Sequence, residues 1–323
     1  MTAYALRRLA ATIALLFGLS VIVFLIFFAT PGIDPARQLA GKDPNPATLA
    51  AIRSDFGLDR PLPVQYGLLM KHLVIDRDLQ SYSNRGVEVI PEIARAAPVT
   101  LSLVLGAAVL WIVVSVLLGL AAAVLRGSVW DRGLMVLALI GISMPVFWLG
   151  EVANLLTQDT LHGFFLFSWI PPLGYTSLTE DPLLWFRHLV VPWCVLATLY
   201  VGVYARVLRA ALLDAEGQDF VRTARAKGIS ERRVLLRHML RTSLITFVSV
   251  FGLDFGALVG GGALLVEVVF GLPGIGRLTY QSLQGLDLPV IMATVLYGGF
   301  FIVIVNALVD VLYARLDPRI REA

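Results

Sequence analysis

The chain has 323 residues, 58% of them hydrophobic and only 15% charged, with a net charge of +3 and a mean hydropathy of +0.80. A soluble domain carries about a quarter of its residues as charges, so most of this surface faces something other than water. The single cysteine, Cys194, excludes an internal disulfide, and His72, His162, His188 and His238 stand at no metal-ligand spacing from one another or from it, so no metal site is expected.

A bilayer core of about 30 Å needs roughly 20 apolar residues in helix, and six stretches qualify. The first runs from Leu9 to Ala29 without an ionisable group. Arg7 and Arg8 precede it as they would a signal peptide. However, the apolar run is longer than a signal core, and Pro31 stands where a small-residue cleavage site is wanted, so it reads as a retained helix. The segment from Thr30 to Ala97 is rich in Pro, Gly and Asp as far as Pro63, around a short helix near Pro46 to Phe56. Two amphipathic stretches follow, Gln65–Val74 and Val87–Arg95. This segment is either a solvated connector or a small cap over the bundle.

The second span runs from Pro98 to Leu125, the third from Gly133 to about Leu156, and the fourth from Leu189 to about Leu213, with Arg206 and Arg209 marking its end. Between the fourth and fifth spans, Asp214 to Arg241 reads as helix, glycine turn, helix. Asp219 favours the start of the first helix, Lys227 its end, and Gly228 the left-handed position after it. Ser230 is the N-cap of the second, with Glu231 in its first turn. Phe220, Val221 and Ala224 are expected on one face, flanked by Arg222 and Arg225. The segment either fixes topology by charge alone or docks a partner, to which the small Ala224 and Gly228 would allow close approach.

The fifth span runs from Ser243 to Phe270, with Gly252, Gly256 and Gly260–Gly262 suited to close helix contact. Its end, Phe270 to Gly276, reads as a turn. It is no dinucleotide fingerprint, which needs a preceding strand and a following helix, and neither is expected. The sixth span runs from Pro289 to about Leu312. Arginine and lysine concentrate in the N-terminus, at Arg126 and Arg132, from Arg206 to Arg241, and at Arg315, Arg319 and Arg321, which puts both termini in the cytoplasm. Glu151, Asp254, Glu267 and Asp310 lie within or near spans, where a charge costs several kcal/mol. They either pack helices or line a path, and Asp254 lies deepest. No G-x-x-x-x-G-K-[ST] phosphate loop is present, so any ATP must bind another chain.

Several motifs in order along the chain resemble the B-type permease of the dipeptide/oligopeptide/nickel ABC importer family. They are Phe56-Gly-Leu-Asp-Arg-Pro-Leu62 with Gln65-Tyr66, Ser143-Met-Pro-Val-Phe-Trp-Leu-Gly150, and Asp219-Phe-Val-Arg-Thr-Ala-Arg-Ala-Lys-Gly228. Gly261-Gly262 with Glu267, Phe270, Pro273-Gly274 and Gly276-Arg277-Leu278 come next, and the chain ends in Asn306, Asp310 and Leu316-Asp-Pro-Arg-Ile-Arg321. Three departures stand out. Arg222 replaces the general importer's Glu, Thr246 replaces a proline, and Arg77-Asp78-Leu79-Gln80 replaces a turn with two glycines.

The resemblance implies an all-α membrane protein of six transmembrane helices with the type I ABC importer permease fold. Residues 1–97 would form the first helix and an extracytoplasmic cap segment, and residues 98–323 a five-helix core with a coupling loop at about 214–241. Asp219, Phe220, Arg222, Thr223, Ala224, Arg225, Lys227 and Gly228 would dock on an ATPase. Asp254, Glu267 and Pro273 are candidate pore or gate residues.

The implied partners are a second, C-type permease, two ATPase subunits or one fused pair carrying ATP and Mg, an extracytoplasmic substrate-binding protein, and lipid. This chain itself would bind no cofactor, no catalytic residue is expected, and no nucleic acid. The implied function is ATP-driven peptide import in a bacterial plasma membrane. The alternatives are nickel or oligosaccharide import within the same family, or an ion-coupled secondary transporter, for which no internal repeat is found.

Overall fold

The computed structural model describes residues 2–28, 35–40, 45–55, 57–84 and 86–316. Phe56, the Ala29-Thr30-Pro31 stretch and the tail Asp317 to Arg321 lie outside the described residues, as do the side chains of Arg7, Arg8, Asp310 and Arg315. Along the chain, α1 (Thr2–Phe28) is followed by α2 (Pro35–Ala40), α3 (Pro46–Asp55) and α4 (Leu62–Met70), which widens into a looser turn over Lys71–Asp76. Next come α5 (Val89–Val124), α6 (Val129–Ser143), α7 (Val146–Asn154) and α8 (Pro182–Glu216). The rest is α9 (Asp219–Ala226), α10 (Glu231–Gly262), α11 (Leu264–Val269), α12 (Ile275–Gly285) and α13 (Leu288–Leu316).

Among the described residues, five helices are long and apolar enough to cross a bilayer: α1, α5, α8, α10 and α13. The straight helix expected over Gly133–Leu156 is instead α6 followed by α7 and its extension to Thr160, a pair bent by 95° that brings the number of spans to six when it is counted as one. The cause is local. Proline disfavours helical backbone in the residue before it, and Met144, which precedes Pro145, sits at ψ 131°.

Two spans also begin earlier than hydropathy suggests. The amphipathic stretch Val87–Arg95 is mostly the opening of α5. Helix α8 starts at Pro182, where the Asp181 carboxylate accepts from Leu183 N at 2.9 Å and Leu184 N at 3.0 Å, an N-cap followed by the preset φ of proline. The fifth span is broken rather than continuous. Gly261 takes φ +125° in the last turn of α10, just before α11, a conformation that side chains rarely adopt.

The main core lies between α5 and α8, with Leu103, Trp111, Tyr204 and Leu208 fully buried. Lipid is as apolar as leucine, so helices associate here through close packing. A Cβ on Gly202 of α8 would strike the Ala138 carbonyl of α6, and one on Gly298 of α13 would strike the Gly260 carbonyl of α10.

The segment between the first two spans is a packed cap rather than a loose connector. Leu69 and Leu79 join Val23, Phe24, Val89, Val290 and Met292 in a second core. Tyr66 Oη lies 2.7 Å from Ser20 Oγ of α1, and its ring meets Phe24 edge-on. The buried Asp287 carboxylate accepts from Ser81 Oγ and from Tyr82 N at 3.0 Å, which stitches the cap to the α12–α13 corner. Burial, with Asp287 beside it, pushes the Tyr82 phenol up to about 12.

The glycine-less turn puts a side-chain-bearing residue in left-handed backbone. Arg77 stands at φ 59°, ψ 28° and donates its N–H to His72 O. His72 Nδ1 lies 2.7 Å from Asp78 Oδ1, a bond that holds the Asp78 carboxyl below its ordinary range. Left-handed backbone costs a side-chain-bearing residue roughly 1 kcal/mol. Arg77→Gly is therefore expected to stabilise the protein by up to about 1 kcal/mol, read as a rise in melting temperature in detergent. A fall would show that the arginine side chain outweighs the strain.

Candidate functional site

Helix α9 is short and sits between the ends of α8 and α10. Gln218 is the extended N-cap residue and Asp219 opens the first turn, where a carboxylate suits the helix dipole. The far end closes in a Schellman motif. Gly228, at φ +74°, donates its N–H to Arg225 O at 2.9 Å, and Ile229 N donates to Ala224 O at 3.2 Å. Ile229 packs against the main core. Ser230 is the N-cap of α10, as its position suggested, but its side chain makes no capping bond.

One face of α9 is anchored. Val221 and Ala224 are 0% and 5% exposed and belong to the same cluster as Leu212, Ala215, Val234 and Met239. Two expectations change here. Phe220 does not share this face; it is exposed, one position round the helix from Val221. Ala224 is small because it packs inside this chain, so it is not open to a partner.

Arg225 is also engaged internally. Its Nε donates to Glu231 Oε1 at 2.8 Å, and its Nη2 donates to Glu231 Oε2 at 3.1 Å and Glu216 Oε1 at 3.3 Å. This fork clamps the end of α8 to the start of α10, and it holds the Glu231 carboxyl below its ordinary range. Besides Arg225, the exposed surface of α9 and the turn after it is Asp219, Phe220, Arg222, Thr223, Ala226, Lys227 and Gly228. Arg222 reaches only Asp219, at 3.5 Å, and Thr223 Oγ1 donates to Asp219 O at 2.8 Å.

The three candidate pore residues lie in three different environments. Glu267 of α11 is completely buried. Thr100 Oγ1 of α5 donates to its Oε1 at 2.6 Å, and Arg277 N, in the first turn of α12, donates to its Oε2 at 2.9 Å. Thr100 Oγ1 in turn accepts from Ile275 N at 2.8 Å. This carboxylate thus joins three helices and caps the third. Pro273 is exposed beside an open cleft of about 520 Å³ bordered by Glu92, Arg95, Tyr175 and Arg277. Asp254 lies within α10 and is half-buried, accepting from Tyr204 Oη of α8 at 2.7 Å. Glu151 is exposed on α7. The turn after Phe270 does lead into a helix, α12, but no strand precedes it, so it remains no dinucleotide site.

Two arrangements were missed in the sequence. Asp131 accepts a fork from Arg209, at 2.8 Å from Nε and 2.7 Å from Nη2, tying α6 to α8. The pattern Ser128-x-x-Asp131 was a readable capping signal for it, and Ser128 Oγ does accept from Asp131 N at 3.2 Å. His72, Asp76 and Asp78 also bring potential ligand atoms within 4.8 Å of one another. With Lys71 Nζ at 3.2 Å from Asp76, this set reads as an exposed ion-pair cluster.

Five long apolar helices, a bent sixth pair and a small helix packed at one end are the architecture of a multi-pass membrane protein. The family of binding-protein-dependent transport system inner membrane components matches residues 115–322, and its N-terminal region matches residues 1–104. The chain belongs to this family of ABC importer permeases and sits in the inner membrane.

Its relatives include a putative peptide transport system permease protein of Brucella abortus (strain 2308), 40% identical over 99% of both chains. A probable peptide ABC transporter permease protein of Sinorhizobium fredii is 36% identical over 99% of this chain and 100% of its own. A glutathione transport system permease protein of Salmonella choleraesuis is 37% identical over 98% of both. Among solved structures, a chain of the MetNI methionine ABC transporter, in an inward-facing conformation, matches 71% of this chain and 97% of its own, with a TM-score of 0.53 at 16% identity. The two share the type I importer permease fold.

Proposed function

We propose that this chain forms half of the translocation path of an ATP-driven importer of short peptides, and that α9 is the element a separate ATPase subunit grips. The observation that carries the coupling role is the division of α9 into two faces. Val221 and Ala224 lock it to the bundle, while Phe220, Arg222 and Lys227 stand free of the core. An exposed aromatic that a partner can bury, beside basic groups, is a strong anchor at protein interfaces. A force applied to α9 passes to α8 and α10 through the Arg225 fork and the Gly228 turn. ATP and magnesium belong to the partner subunits, and a second permease and a substrate-binding protein complete the assembly.

The orientation proposed with this reading puts α9 and both termini in the cytoplasm and the cap outside, in keeping with the arginine distribution. The peptide substrate is supported by the peptide and glutathione systems to which its relatives belong. Family membership leaves the ion-coupled alternative without support.

The test is Phe220→Asp in the complex reconstituted in proteoliposomes. Because Phe220 is already exposed, the bundle is expected to insert and assemble normally. Peptide uptake should fall at least tenfold, and ATP hydrolysis should no longer rise with loaded binding protein. Wild-type uptake by this variant would remove α9 from the coupling path.

A further inference from the structure

Asp254 presents a problem that the rest of the bundle does not solve. A carboxylate within a span costs several kcal/mol unless it faces protein or water. Among the described residues its recorded partner is a single neutral hydroxyl, Tyr204 Oη at 2.7 Å, and no basic side chain pairs with it. An ionised carboxylate accepts about four hydrogen bonds, so most of its capacity is unused. It is also only half-buried in the isolated chain. Its open side is therefore available to water or to a group brought by the assembled complex.

The surroundings are aromatic. Tyr204 lies with its ring centroid 5.0 Å from that of Trp111, and Tyr200, one turn earlier on α8, stacks on Trp111 at 4.5 Å. Phe251, one turn before Asp254 on α10, lies 4.9 Å from Trp111 and stacks on Phe255 at 5.4 Å. Trp111 is fully buried, and its indole N–H has no hydrogen-bond partner among the described residues. Tyr204, like Trp111, is fully buried, whereas Tyr200 is partly exposed. A carboxylate beside an open aromatic ring is the chemistry that binds an ammonium group, by charge at the oxygens and by cation–π attraction at the ring.

We infer that Asp254, held by Tyr204 and flanked by Tyr200, forms a subsite on the translocation path for the cationic amino terminus of the peptide in transit. This rests on the peptide-importer reading above and assigns a specificity element to it. Glu267 plays no such part, because it is completely buried and each of its oxygens already accepts a bond, from Thr100 and Arg277. The ammonium would take the vacant lone pairs of Asp254 while Tyr204 keeps its hydrogen bond.

Two readouts on the whole complex test the subsite, with Asp254→Asn and Asp254→Glu as variants. The first is uptake of trialanine into proteoliposomes with binding protein and ATP. The second is the melting temperature of the complex in detergent, without binding protein, in millimolar trialanine or its N-acetylated form. The expected result is a trialanine uptake at least tenfold lower in Asp254→Asn and largely restored in Asp254→Glu. Trialanine, and not N-acetyl-trialanine, should raise the melting temperature of the wild type, and Asp254→Asn should abolish that rise.

Unchanged uptake with an unchanged thermal response would overturn the subsite and leave the peptide importer standing. Failure of Asp254→Asn to assemble would overturn it as well, assigning Asp254 to an ion pair with the partner permease. Conversely, an amine-dependent thermal response in a wild-type complex that takes up no trialanine would leave Asp254 an ammonium-binding group and overturn its assignment to a peptide in transit.

Discussion

Gly228→Pro is expected to reduce uptake by more than tenfold while leaving membrane insertion of the chain intact. Gly228 stands at φ +74°, whereas proline is fixed near −65° and has no N–H to give. The substitution removes the bond from Gly228 N to Arg225 O and forces the chain out of the left-handed turn, so Ile229 N can no longer reach Ala224 O. Helix α9 would lose the closure that sets its angle to α10, yet the apolar spans that drive insertion are untouched.

Gly228→Ala gives a graded control. A Cβ built at this position meets nothing within 4 Å, so alanine brings only the left-handed strain, about 1 kcal/mol, and uptake should fall by a few-fold. The measurement is peptide uptake and ATP hydrolysis side by side in proteoliposomes. If the backbone turn matters, proline uncouples the two and alanine does so partly. Equal uptake for wild type and proline would show that the turn transmits nothing. A bulky residue at Ala224 is a poor alternative, since it would disrupt the chain's own core before reaching any partner.

The turn at Gly228 was legible because its signal is local: acidic residue, amphipathic octet, basic residue, glycine. The same local logic could have revealed the bend at Met144-Pro145, but hydropathy is blind to backbone angles and ran the third span straight through it. Phe220 was misplaced by a single position, which on a helix is about 100° of rotation and is enough to turn a buried side chain into an exposed one. The apolar character of phenylalanine argued for burial, and only the positions of Val234 and Met239 opposite α9 decide that Val221 fills the site instead.

Longer-range features were not readable at all. Glu267 stood out as a charge in an apolar run, but its partner Thr100 is 167 residues away, and no pattern within either segment points to the other. The Asp254–Tyr204 contact crosses 50 residues in the same way. Composition identifies such groups as requiring partners, and the packing of α5, α8 and α10 supplies them.

Glu267→Ala is expected to be strongly destabilising. The side chain is fully buried, and its loss leaves Thr100 Oγ1 and Arg277 N without their acceptor. Each orphaned buried donor costs about 1–3 kcal/mol, and the vacated space adds a cavity term. A total loss of about 3–5 kcal/mol follows, to be read as a large fall in melting temperature in detergent or as failure to accumulate.

Glu267→Gln keeps one carbonyl oxygen in place and should lose less, about 1–2 kcal/mol. Thr100→Val removes the hydroxyl at nearly constant volume and should cost a similar amount, since both Glu267 and Ile275 N lose a partner. The double variant Thr100→Val/Glu267→Gln should lose less than the sum of the single ones, because the two residues share one hydrogen-bond network. This set separates the two roles a carboxylate can have in such a bundle. A structural knot at the α5, α11 and α12 junction loses stability and uptake together. A path-lining carboxylate would change uptake in Glu267→Gln without moving the melting temperature, and that outcome would return Glu267 to the pore.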